Sequence, residues 1–218
     1  MDSSQNTPFT VPETLPYRHL NLCRNPFGVP HERDRPELAI ADVCHWADQL
    51  QTKRVAIQLI GDHGRGKSSH LFALKKELET RTNTHVPYIR LRDTHRIPAA
   101  PIVLLDEGAH LPIRPWWRLR HIRSLAISTH RNMRPLLMAF GFNVTTIQIQ
   151  QRDPQRLHEI FSRRIEWARA GMGPIPVLQP QTVHQLQAKY GDDIRTMEDA
   201  LYNSIEHMSE VGHVRLLD

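Results

Sequence analysis

Eight consecutive residues carry the most specific chemistry in the chain. Gly61-Asp62-His63-Gly64-Arg65-Gly66-Lys67-Ser68 fits the spacing G-x-x-x-x-G-K-[ST]. Glycines at these places let a loop wrap backbone N–H groups around a phosphate, and a helix starting at its end aims its N-terminal dipole at the same anion. Lys67 there can bridge β- and γ-phosphates, and the Ser68 hydroxyl can ligate Mg²⁺. The expected nucleotide contacts run from Gly61 to Ser69.

Such a loop calls for a second acid at the end of another buried strand. Ile102-Val103-Leu104-Leu105-Asp106-Glu107 provides it. Asp106 would emerge at the carboxyl end, where doubly wound sheets bind ligands, and hold Mg²⁺ directly or through water. Glu107 beside it can polarise a water for attack on a γ-phosphate. A third strand end, Ser128-Thr129-His130-Arg131, offers Thr129 or His130 to touch the γ-phosphate or orient that water.

The elements that must position these groups are legible as apolar runs. Val55–Ile60 is a continuous apolar stretch of the kind found in buried parallel strands, and it directly precedes the glycine loop. Spacing predicts a helix over Ser69–Arg81 and further strands at His85–Leu91, Pro101–Leu105, Ser124–Ser128 and Val144–Ile149. One helix is predicted across Leu38–Leu50 with its start at Arg35-Pro36-Glu37, and a short one over about Pro115–Arg123. After Asp153-Pro154, a cap followed by proline at the first helical position, three helices are expected: 154–169, 180–189 and 194–208. The expected architecture is α/β: a three-layer P-loop fold with a five-stranded, mainly parallel sheet and a small C-terminal helical lid. The expected divisions are an extended arm (1–24), a nucleotide-binding domain (25–150) and the lid (151–218).

These pieces in this order resemble the P-loop NTPases with an additional catalytic glutamate, and among them the AAA+ ATPases. Asn25-Pro26-Phe27-Gly28 is similar to the opening segment of AAA+ ATPases from secretion and transposition systems. That likeness implies that Phe27, Gly28 and Val29 border adenine. Gly191-Asp192-Asp193-Ile194-Arg195 looks like the lid motif whose arginine, the second sensor, reaches the γ-phosphate, which maps to Arg195. The first sensor maps to Thr129 or His130. The resemblance spans about residues 25–208 and implies ATP and Mg²⁺ as ligands. The chain departs from the pattern in three ways. The link Arg92–Ala100 is too short for the helix AAA+ proteins place there. Thr-His stands where a polar Asn is usual, and that histidine also resembles the switch histidine of ABC-type ATPases. Arg131 and Arg134 are only candidates for an arginine finger, which would make the protein a homo-oligomer.

Composition bounds the rest. The chain has 218 residues, 39% of them apolar, enough for one domain and a small appendage. Two cysteines, Cys23 and Cys44, make neither a disulfide framework nor a zinc site. With no long apolar run and no secretory pattern at Met1-Asp2-Ser3-Ser4, a cytoplasmic protein without a membrane span is expected. The net charge is +5, and only five of the 28 basic residues are lysines. Between His110 and Arg169 stand 11 arginines against three acids. That stretch can meet DNA, nucleotide or an acidic protein, or be a solvated arginine-rich surface. Trp116 and Trp117 within it read foremost as packing residues. The leading expectation is an ATP-binding, ATP-hydrolysing AAA+-like switch or remodeller. The alternative is an ATP-dependent DNA-associated module with slow hydrolysis. A small-molecule kinase is disfavoured by the Asp106-Glu107 pair and the helical tail.

Overall fold

The computed structural model describes residues 16–31, 34–94, 96–110, 119–150 and 153–217. Five strands form one sheet: β1 (Val55–Ile60), β2 (Tyr88–Arg90), β3 (Ile102–Asp106), β4 (Ser124–Thr129) and β5 (Asn143–Gln148). Their order is β2-β3-β4-β1-β5 and every neighbouring pair is parallel. Parallel strands need crossovers, and the crossovers cover both faces. On one face α2 (Cys44–Gln51) and α3 (Lys67–Thr82) bury Leu50, Leu71, Leu74 and Leu78 against Ile57, Leu59, Leu104 and Ala126. On the other, Leu137 of α4 (Arg134–Ala139) and Phe142 pack on Ala56, Val103, Leu105, Leu125 and Ile127. Both faces of β1 and β3 are covered, which is why these two strands read as largely continuous apolar runs rather than alternating ones. The result is the expected three-layer α/β fold, with β1 and β3 delivering the loop at 61 and the acids at 106–107 to the same carboxyl end of the sheet.

Several local expectations need correction. The helix expected across Leu38–Leu50 is broken into α1 (Arg35–Leu38) and α2. Ala39 turns extended (ψ 122°), and the Asp42 carboxylate accepts the Cys44 N–H at 3.4 Å, a side-chain bond that competes with helix continuation. The second strand is shorter than His85–Leu91, because Pro87 has no N–H and the strand lies at the sheet edge. Helix α4 was not expected; its signal is Pro135 in the first turn, after Asn132, whose side chain accepts the Arg134 N–H at 3.0 Å. Of the helix expected at Pro115–Arg123, residues 111–118 lie outside the described ones, and Leu119–His121 form a 3-10 turn.

By their contacts the residues form two units. The sheet unit holds His31–Gln151 and Asp192–Ile194. The second, helical unit holds the chain up to Pro30 together with Arg152–Gly191 and Arg195 onward. It contains α5 (Pro154–Trp167), α6 (Pro180–Tyr190) and α7 (Ile194–Glu206, from Arg195 on). Asp153 caps α5 by accepting the Gln155 N–H at 3.0 Å, as its sequence position predicts. Leu20 and Leu22 are fully buried, and Leu22 pairs antiparallel with Arg169. Among the described residues no helix is long and apolar enough to cross a membrane.

Candidate functional site

The glycine loop leaves β1 and ends in α3, whose first residue is Lys67. Gly64 and Gly66 adopt φ of 78° and 80°, the left-handed region that other residues enter at a cost. The Lys67 side chain closes the loop on itself: Nζ donates to the Gly61 carbonyl at 2.8 Å and the Asp62 carbonyl at 2.7 Å. Burial pulls the Lys67 ammonium below its ordinary pKa, against the opposing pull of the Asp106 and Asp62 carboxylates. Arg65 pairs with Asp62 at 3.0 Å and with Asp192, while a Cβ on Gly64 would overlap the Asp193 carboxylate. Ser69 is exposed in the first turn of α3.

Asp106 is the hub. It is 1% exposed and ends β3. Its Oδ2 accepts the Ser68 hydroxyl at 2.7 Å and the Tyr88 hydroxyl at 2.5 Å. Its Oδ1 accepts the Ser128 hydroxyl, and the Glu107 N–H at 3.1 Å. That N–H is shared with Ser128 Oγ at 3.0 Å. Glu107 itself takes φ 58°, an uncommon conformation for a non-glycine residue. Its Oε2 is buried with no hydrogen-bond partner. A carboxylate oxygen in that condition stands ready to accept from a water or another donor.

His130 Nδ1 lies 2.9 Å from the Gly61 carbonyl, and its ring meets that of His63 at 3.9 Å between centroids. Burial, then the charges of Lys67 and His63, hold the His130 imidazolium below its ordinary pKa. The Thr129 hydroxyl is engaged differently: it donates to the Arg131 carbonyl and accepts the Arg131 N–H, both at 3.0 Å. The sheet unit thus brings together Gly61–Ser69, Asp106, Glu107 and His130. Two partners went unread in the sequence. Ser128 was passed over for its neighbours Thr129 and His130. Tyr88 gave no linear signal, since only the register of β2 on β3 places it beside Asp106.

Phe27, Gly28, Val29 and Arg195 belong to the helical unit. Asn25 Nδ2 donates to the Tyr202 carbonyl at 3.1 Å and to Glu206 at 2.8 Å. Arg164 grips the segment that follows: Nε donates to the Pro26 carbonyl at 2.8 Å and Nη2 to the Gly28 carbonyl at 2.6 Å, while Nη1 pairs with Glu198 at 2.6 Å. The Phe27 ring is buried edge-on against Phe161, and Val29 is exposed. Arg195 lies in the first turn of α7.

No protein-family model and no curated protein sequence matches the chain. Solved structures do. Domain III of the replication initiation protein DnaA from Thermotoga maritima superposes with a TM-score of 0.57 at 15% identity, over 82% of this chain and 90% of that one. The Orc1 protein of Aeropyrum pernix, solved in complex with DNA, gives 0.54 at 18% identity, over 86% of this chain and 64% of that one. The chain has the AAA+-type P-loop fold. Another protein with this fold, a replication initiator DnaA bound to AMPPCP and single-stranded DNA, gives 0.54 at 13% identity, over 82% of this chain and 66% of that one. At such identities the likeness is one of AAA+-type architecture.

Proposed function

We propose that the chain binds ATP at Gly61–Ser69 and hydrolyses it as an AAA+-like switch or remodelling ATPase. The observation that carries this reading is the constellation at the carboxyl end of the sheet: the lysine-closed glycine loop, the Ser68–Asp106 contact at 2.7 Å and the partnerless buried oxygen of Glu107. The Ser68 hydroxyl and Asp106 carboxylate are hard oxygen donors, which suit Mg²⁺ and would hold it. When bound, that ion neutralises charge on the β- and γ-phosphate oxygens. Loop N–H groups and Lys67 bind and orient the phosphates. Glu107 orients the attacking water and accepts its proton at the carboxylate. His130, neutral beside the Gly61 carbonyl, is placed to sense the loop; Thr129 serves by shaping the turn that carries it. Phe27, Gly28 and Val29 are proposed to border the base, with the ring of Phe27 serving as an anchor, and Arg195 to contact the γ-phosphate. The Asn-Pro-Phe-Gly segment supports a place in the secretion and transposition branch, and a cytoplasmic site of action accords with the whole reading.

Glu107→Gln tests it: the variant keeps ATP binding and loses turnover by about 10²–10⁴-fold, the usual range for removing a general base. Turnover at the parent rate would mean that another group activates the water. Arg131 and Arg134, both exposed, remain the candidates for a finger supplied to a neighbouring copy. A rate per protein chain that rises with protein concentration would support that role.

A second reading, a DNA-associated module with slow hydrolysis, draws support from the exposed Arg120, Arg123, Arg131 and Arg134 and from the DNA held by two proteins of similar fold. It predicts an affinity that falls steeply with salt. Absence of any gel shift at low salt would eliminate it.

A further inference from the structure

Asp106 can accept about four hydrogen bonds, and all four are made. They differ in what Mg²⁺ would do to them. Ser68 is itself a ligand under the proposed reading: its hydroxyl would ligate through an oxygen lone pair and keep its proton for Oδ2. Ser128 and the Glu107 N–H stay on Oδ1. On Oδ2 the Tyr88 hydroxyl is the donor that is not itself a ligand. The phenol cannot easily turn away: its ring stacks on Phe72 of α3 at 4.5 Å and 29°, and β2 is tied to β3 in the register Tyr88↔Leu104 and Arg90↔Asp106. Arg90, two residues along on the same face, sits beside that hydroxyl.

We infer that Tyr88 is a positioning residue for the metal: its hydroxyl, braced by Phe72, fixes the plane of the Asp106 carboxylate in the orientation that Mg²⁺ requires. The inference rests on the Mg·ATP reading above and adds to it an edge-strand residue outside the loop and acid motifs. Outer-shell partners of metal ligands typically govern metal affinity by 10–100-fold. With Oδ1 still held by two donors, loss of the hydroxyl should weaken Mg²⁺ by about tenfold, at the low end of that range.

The test is Tyr88→Phe, which keeps the ring and its stacking. Binding of a fluorescent N-methylanthraniloyl ATP is titrated at a series of Mg²⁺ concentrations and again in EDTA. The expected result is a roughly tenfold rise in the Mg²⁺ concentration needed for half-maximal enhancement of binding, with binding in EDTA equal to that of the parent. A purely structural role would move both. If the parent responds to Mg²⁺ and the variant responds identically, or if the two differ equally in EDTA, the inference is overturned and the ATP reading stands. If the parent itself binds without any response to Mg²⁺, the site reading is overturned and this inference goes with it.

Discussion

Arg164→Met probes how the helical unit holds its Asn25–Gly28 segment. Arg164 is 6% exposed, and its guanidinium makes three charge-assisted bonds, to the Pro26 carbonyl, the Gly28 carbonyl and Glu198. Methionine fills much of the volume but leaves two carbonyls and one half-buried carboxylate without their donor. Breaking a buried pair by removing one partner typically destabilises by 3–5 kcal/mol, so about 4 kcal/mol is expected at pH 7. With a urea dependence of about 2 kcal/mol per molar, the unfolding midpoint falls by about 2 M. The deficit has a pH signature. Burial already holds the Glu198 carboxyl above its ordinary pKa, while Arg164 pulls it down. Without Arg164 that downward pull is lost and the carboxyl is held further above its ordinary pKa. A raised acid contributes stability that is full below the unfolded value of about 4.5 and is lost as pH rises through the folded value. The variant's deficit should therefore shrink on acidification from pH 8 to pH 5. Adding Glu198→Gln, which removes the uncompensated charge, should restore much of the loss at pH 8. Urea unfolding followed by circular dichroism reads all of this. A deficit under about 1 kcal/mol, well below the range for a broken buried pair, or no recovery with Glu198→Gln, would refute the reasoning.

Gly64→Ala meets both a left-handed φ and the Asp193 carboxylate. It should weaken ATP binding at least tenfold in calorimetry, with partial recovery when Asp193→Gly removes the overlap; parent-like affinity in the single variant would contradict the assigned loop geometry. His130 is held below its ordinary pKa of 6.5, so the folded chain takes up fewer protons than the unfolded one below that pH. The stability contributed by the neutral ring is present above pH 6.5 and lost as pH falls below it. His130→Gln should therefore flatten the acid side of a plot of urea midpoint against pH, and a steeper acid side would argue against that burial.

The sheet and the residues that meet at its carboxyl end were legible because each leaves a local trace. Continuous apolar runs mark strands buried on both faces, the glycine–lysine–serine spacing marks the loop between β1 and α3, and Asp106-Glu107 closes the β3 run directly. What was missed depends on contacts distant in sequence. Tyr88 and Ser128 reach Asp106 only through strand register, 18 and 22 residues apart in the chain. Arg164 looked like one of 11 arginines in a basic stretch, yet it is buried and committed to carbonyls 136 and 138 residues away. The break at Ala39–Val43 escaped because apolar spacing continues through it, while Asp42 diverts the backbone. Residues 16–24 lack periodicity and so read as part of an arm, although Leu20 and Leu22 are buried.

The central claim is that this loop is an ATP site whose affinity depends on the Lys67 ammonium. Isothermal calorimetry of Mg·ATP against the parent and Lys67→Ala measures it directly. Lys67, the first residue of α3, is bonded to two of the loop's carbonyls at 2.8 and 2.7 Å. The account predicts saturable one-site binding by the parent and no measurable heat of binding with Lys67→Ala. Equal affinity in the two proteins would contradict it.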